Sequence, residues 1–254
     1  MRPTTRLLFS KFKAQEFEQL CQLLCRVFDT TPEELEGLYQ DIDKTFDQPG
    51  CPLHFVHREF FKPKDASCRS LYQNAPVVAV DLPSVLEYDN GHNDKPTIVL
   101  AGQDPLNRGN YKKLIVGTPY GFHHKDSREK HTRFYLEMIK VLLELGYRVY
   151  LTDVFKIWIH GLNVKKWPDI DKERFLGLLK SELDLIQPST VITFGKTAEE
   201  VFVASRSRVK HIPFPHPSRS NQKKWKETLN GESATEERKL AFVRAEIIRH
   251  LKQS

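Results

Sequence analysis

The chain has 254 residues, 39% of them hydrophobic and 28% charged, a balance that buries one substantial core and excludes collagen, coiled coil and wholesale disorder. Its 39 Lys and Arg against 33 Asp and Glu leave a formal charge of +6 and a pI near 9.0, which suits a soluble protein that meets a polyanion. No apolar run approaches the ~20 residues of a membrane span. The N-terminal stretch also lacks the apolar core and cleavage site of a signal peptide, so an intracellular, cytoplasmic protein with no membrane partner is expected. Cys21, Cys25, Cys51 and Cys68 are too sparse for a disulfide scaffold, and their spacing matches no standard zinc or iron-sulfur site.

In chain order, Phe17, Leu20, Cys21, Leu24, Val27 and Phe28 recur at helical spacing, and Pro32-Glu33-Glu34 opens a second helix. From Asp47 to Lys95 prolines and polar residues predict loops, with a short strand at Val77–Val80. A soft boundary near residue 90 separates an accessory segment, 1–90, packed on the rest, from 91–254. Beyond it the pattern alternates. Apolar runs at Ile98–Ala101, Arg148–Thr152, Val191–Phe194 and near His211-Ile212 predict four strands. Between and after them, helices are marked by Phe134, Met138, Val141, Leu142 and Leu145, by Phe175 to Ile186, by Thr197 to Val203, and by Leu240, Val243, Ile247 and Leu251. The expected fold is therefore α/β: three layers, with a central, mainly parallel four-stranded sheet flanked by helices, plus a helical and loop-rich N-terminal segment.

Ligands of such sheets sit beyond the carboxyl ends of the strands, which directs attention to the loops there. The first, Gly102-Gln103-Asp104-Pro105, carries a carboxylate on a tight turn, suited to orienting water or stabilising positive charge on a sugar; an Asx-turn is the competing reading. Another, Pro215-His216-Pro217-Ser218-Arg219-Ser220-Asn221, presents a histidine held between prolines ahead of phosphate-binding residue types. Gly195-Lys196-Thr197 is no phosphate loop, because Thr190 stands where that motif needs glycine. His123-His124, with Asp126 and His131, has no metal-ligand signature and reads as a solvated loop.

Together these motifs resemble the uracil-DNA glycosylase superfamily from about Thr97 to Leu251. Gly102-Gln103-Asp104-Pro105 is similar to its water-activating motif and Gly117-Thr118-Pro119-Tyr120-Gly121 to its G-x-P-F-G segment. Val149 to Lys156 is similar to the strand and loop carrying its base-reading asparagine, and His216-Pro217-Ser218 to its H-P-S motif. The resemblance implies a monofunctional, metal-independent DNA glycosylase without cofactor, acting on DNA as a monomer after flipping the target base. Asp104 would orient water and stabilise the oxocarbenium-like sugar, and His216 would hydrogen-bond O2 of the departing base. Tyr120 would stack on that base and the Gln103 backbone would approach O2. Ser218 would contact phosphate, and Arg219 to Lys226, including Ser220, Asn221, Lys223 and Lys224 with Trp225 interleaved, would grip DNA.

Two departures bear on the substrate. Where the family's uracil-cleaving branch has a tyrosine that crowds C5, this chain has Leu106, followed by Asn107, which leaves room for a C5 substituent. Where the family has asparagine, it has Asp153. An ionised aspartate only accepts hydrogen bonds, so it repels O4 of uracil and welcomes the N4 amino group of cytosine; a proton shared with N3 completes the contact. A protonated Asp153 that rotates serves either base, and an aspartate after a strand also acts as a helix cap. The expected substrate is cytosine or a C5-modified cytosine, and such a base in phage DNA would make the protein a defence enzyme. The alternatives are a uracil-DNA glycosylase of base-excision repair, a noncatalytic nucleic-acid-binding protein of the same fold, and an enzyme of free nucleosides or nucleotides.

Overall fold

The computed structural model describes residues 6–49, 54–56, 77–89, 95–105 and 114–252. Two helices open the chain, α1 (Ala14–Val27) and α2 (Pro32–Thr45). Leu20, Cys21, Leu24 and Val27 form the buried stripe of α1. The start of α2 is fixed chemically: the Thr31 side chain accepts from the Glu34 amide, the Glu34 carboxylate accepts from the Thr31 amide, and Pro32 occupies the first turn.

The main sheet has six strands in the order β1 (Leu7–Phe9), β4 (Ser84–Tyr88), β7 (Arg148–Asp153), β5 (Thr97–Gly102), β9 (Thr190–Phe194) and β10 (Lys210–Phe214). Its β7-β5-β9-β10 part is parallel throughout, and these are the four strands expected from the apolar runs. Every residue of β5, β7 and β9 is buried, as strands covered on both faces must be. Helices α3 (Arg133–Glu144), α4 (Asp169–Ile186), α5 (Lys196–Ala204) and α7 (Glu236–Lys252) flank the sheet, with α1 beside α4 and α7 beside α3; a short α6 (Gln222–Thr228) precedes α7.

The other two strands of the sheet come from the first 90 residues, β4 antiparallel to β7 and β1 antiparallel to β4. A second sheet runs in the order β2 (His54–Val56), β6 (Leu114–Gly117), β3 (Val77–Asp81) and β8 (Ile157–Ile159); of these strands the sequence predicts only β3, through the apolar run Val77–Val80. Its strands are three to five residues long and paired across large sequence separations, so periodicity carries little trace of them. Where the chain passes between the two sheets, from β3 to β4 and from β7 to β8, the Asp81 amide donates to the Lys156 carbonyl at 3.0 Å and the Leu82 amide to the Gly117 carbonyl at 2.8 Å. Arg148, at the start of β7, holds Glu16 of α1 with a bidentate pair at 2.8 and 2.9 Å, and Arg128 donates to Asp47 while lying over the Phe46 ring. One buried core runs through helices and strands from both parts of the chain.

Candidate active site

The parallel strands end at one edge, and three aspartates gather there. Asp104 follows β5, Asp153 is the last residue of β7, and Asp81 is the last residue of β3 in the second sheet. Gly102 pairs directly with Asp153, and a Cβ built on it would lie 2.2 Å from Asp153 Oδ1 and 3.3 Å from the Tyr120 ring. Only glycine lets these side chains close over the strand end.

The three carboxyl groups differ in surroundings. Asp104 is partly buried and its Oδ2 accepts from Gln103 Nε2 at 3.1 Å; burial raises its carboxyl to about 6, leaving it ionised at neutral pH. Asp153 is only 3% exposed, and its side chain is hydrogen-bonded to that of Asp81. Two carboxyl groups can make that contact only with a proton between them. Burial is the first cause holding both above the carboxylate range, with Asp81 up to about 7 and Asp153 also raised well above its ordinary value. The neighbouring Asp104 pushes both in the same direction, and Lys156 opposes it. The contact replaces the helix-capping role open to an aspartate at this position.

Behind this pair Lys156 and Glu182, each 1% exposed at the side chain, form an ion pair at 2.9 Å. Lys156 Nζ also donates to Thr152 Oγ1 and to the Asp153 carbonyl, so a buried cation fixes the backbone that carries Asp153. Burial raises the Glu182 carboxyl, and Lys156 pulls against it.

Tyr120 closes the site from the segment after β6. It holds a left-handed backbone, φ 63°, which is strained for an aromatic residue. The turn is held from below. His123 Nδ1 faces the Thr118 amide at 3.2 Å, while the His123 amide donates to Thr118 Oγ1 at 3.1 Å. The Tyr120 ring stacks on Tyr135 of α3, with centroids 4.0 Å apart. Both hydroxyls are buried and meet no hydrogen-bond partner among the described residues, and burial keeps both phenols protonated.

His216 stands on the loop after β10, 6.4 Å from the Tyr135 ring. Its Nδ1 accepts from the Ser218 amide at 3.2 Å, which assigns the ring proton to Nε2. Desolvation lowers its pKa below the usual 6.5, so the ring is a neutral donor at pH 7. Gly195, in a conformation with φ 89°, packs beneath it, where an added Cβ would sit 3.3 Å from the His216 Cβ. The Trp225 indole donates to the His216 carbonyl at 3.0 Å, and Lys239 of α7 donates to the Pro217 carbonyl at 3.1 Å. Ser218 is held by Ser220 and Asn221 through its hydroxyl, and Arg219, Ser220, Lys223 and Lys224 are exposed around it.

The family model described as the uracil DNA glycosylase superfamily matches residues 89–240, which contain every residue of this site except Asp81. The chain belongs to that superfamily. Its members are DNA glycosylases by type and act on DNA, and the six-stranded α/β architecture agrees with theirs. No curated protein matches the chain.

Against this uracil-DNA glycosylase frame, the structure brings Gln103, Asp104, Tyr120 and Asp153 together at the strand ends, with His216 reached through Tyr135. Leu106 and Asn107 lie outside the described residues. Two expectations are corrected. Trp225 is 0% exposed and faces inward from α6, so it braces the His216 loop instead of meeting DNA. His123 is buried against Thr118, not solvated, because the turn at Tyr120 folds back over it. Sequence reasoning missed Asp81, Tyr135 and the Lys156–Glu182 pair. Asp81 had one signal, an aspartate closing an apolar run as Asp153 does. Among the described residues no group of three or more His, Cys, Asp or Glu is arranged as a metal site, and no helix is long and apolar enough to cross a membrane.

Proposed function

We propose that the protein is a monofunctional DNA glycosylase that hydrolyses the N-glycosidic bond of a flipped cytosine or C5-modified cytosine. The observation that carries the substrate is Asp153, hydrogen-bonded to Asp81 at the position where the superfamily reads uracil with asparagine. A carboxyl oxygen offered to the base accepts from N4–H2 of cytosine and repels O4 of uracil.

The remaining residues supply the chemistry without a metal. As the C1′–N1 bond breaks, its electron pair leaves with the base, and His216 Nε2–H donates to the O2 on which negative charge collects. The ionised Asp104, held by Gln103, stabilises the cationic sugar and takes a proton from the water that adds to C1′. Tyr120, backed by Tyr135, gives the base a stacking surface, and the Gln103 backbone lies toward O2. Ser218, Arg219, Ser220, Asn221, Lys223 and Lys224 meet the phosphates.

The test incubates the purified protein, with chelator, against single- and double-stranded DNA holding cytosine, C5-substituted cytosines or uracil, and scores abasic sites. Abasic sites at cytosine-type bases are expected. Cleavage of uracil alone overturns the substrate, and salt-sensitive binding with no cleavage of any base moves the protein to the noncatalytic class.

A further inference from the structure

We propose that Asp81 is a specificity-determining residue: by holding the proton of Asp153 it commits the other Asp153 oxygen to accepting, and so selects a base with an amino group at position 4. This rests on the reading of Asp153 as the base reader. It adds a residue from outside the span of the family match, carried on a strand of the second sheet.

The geometry starts at the junction of the sheets. Asp81 pairs in register with Gly117, and a Cβ on Gly117 would lie 3.3 Å from Asp81 Oδ1 and 2.6 Å from His123 Cε1. Asp153 pairs with Gly102, where a Cβ would collide with its Oδ1. Two glycines thus clear the space in which the carboxyl groups meet. Asp153 Oδ2 faces no N–H or hydroxyl donor among the described residues. The other groups around the pair are Asp104 after β5, Lys156 after β7 with Glu182 of α4 behind it, Tyr120 and His123 after β6, and Tyr135 of α3. The only cation in that set, Lys156, is spent on Glu182, Thr152 and the Asp153 carbonyl.

A protonated carboxyl on its own rotates and serves cytosine or uracil equally, because it carries one donor and one acceptor. Asp81 removes that freedom. With the Asp153 O–H directed to Asp81, the second oxygen accepts from N4–H2, and the lone pair of N3 shares the same proton. To read uracil, Asp153 must turn its O–H toward O4, which leaves the Asp81 carboxylate facing an acceptor with no proton between them. A partly buried charge stripped of its partner is heavily penalised.

The experiment compares single-turnover release of two bases that differ only at position 4, C5-hydroxymethylcytosine and C5-hydroxymethyluracil, by wild type, Asp81→Leu and Asp81→Asn. Asp81→Leu frees Asp153 to rotate and is expected to cut the preference for the cytosine member about tenfold or more. Asp81→Asn donates to Asp153, keeps it an acceptor, and is expected to retain the preference. Parallel losses on both bases, with the ratio unchanged in Asp81→Leu, overturn the inference and leave the proposed function standing. A wild type that releases neither base overturns both. Should Asp81→Leu fail to fold, infrared spectroscopy decides: a protonated-carboxyl band at pH 8 that vanishes in Asp81→Asn supports the shared proton, and its absence from wild type overturns it.

Discussion

Asp104 and Asp153 stand at the same end of neighbouring, fully buried parallel strands, Asp153 as the last residue of β7 and Asp104 two residues past β5, yet they are built for opposite chemistry. Asp104 is partly open to solvent and steadied by one amide, which leaves a carboxylate at neutral pH. Asp153 is enclosed, faces a second carboxyl group, and keeps a proton. The lesson is that strand-end position supplies the carboxyl group, and the neighbouring strand decides its charge. For Asp104 the neighbour is its own loop. For Asp153 it is a different sheet.

The comparison is broken most severely by Asp104→Asn, which is expected to slow single-turnover base release by about 10²–10³-fold while DNA affinity changes little, checked by rapid-quench cleavage beside a binding titration. Next comes the support under Asp153. Lys156→Met leaves Glu182 buried without its cation and is expected to lose about 3–5 kcal/mol of stability in urea unfolding, most of it regained by adding Glu182→Leu. Gly102→Ala thrusts a methyl group into the Asp153 carboxyl and is expected to cost about 10²-fold in rate with circular dichroism unchanged. The pH profile sharpens the contrast. Asp104 works ionised and its carboxyl sits at about 6, so the rate falls about tenfold per unit as pH drops below 6; in Asp104→Asn that limb disappears. Smallest is the pair Lys223→Ala and Lys224→Ala. Each is expected to weaken DNA binding several-fold for all sequences and to reduce the salt slope by about 0.7–0.9, read from titrations at three salt concentrations.

The parallel half of the fold was legible because buried parallel strands write themselves as unbroken apolar runs. Ile98–Ala101 and Val191–Phe194 each lie inside the strand the structure places there. Of the second sheet only β3 left such a record, in the run Val77–Val80. The same sheet's β6, Leu114–Gly117, is four residues long and pairs with β3 across more than thirty residues of chain. At the site, Asp104, Asp153 and His216 were legible because each sits at or just past the end of a strand, in a motif. Asp81 was not, because its meaning depends on Asp153, which a different sheet brings to it. Trp225 misled for a simpler reason: an aromatic among lysines looks like a stacking residue until a single helical turn points it inward, against His216 and Lys239.

That inward indole gives the molecule a built-in optical reporter. Of three tryptophans, Trp158 lies within β8 and Trp167 follows it in the chain, whereas Trp225 is bonded to the backbone of His216 itself. With Trp158→Phe and Trp167→Phe in place, the remaining fluorescence comes from the floor of the histidine loop, and its change on mixing with DNA times the arrival of DNA at that loop independently of bond cleavage.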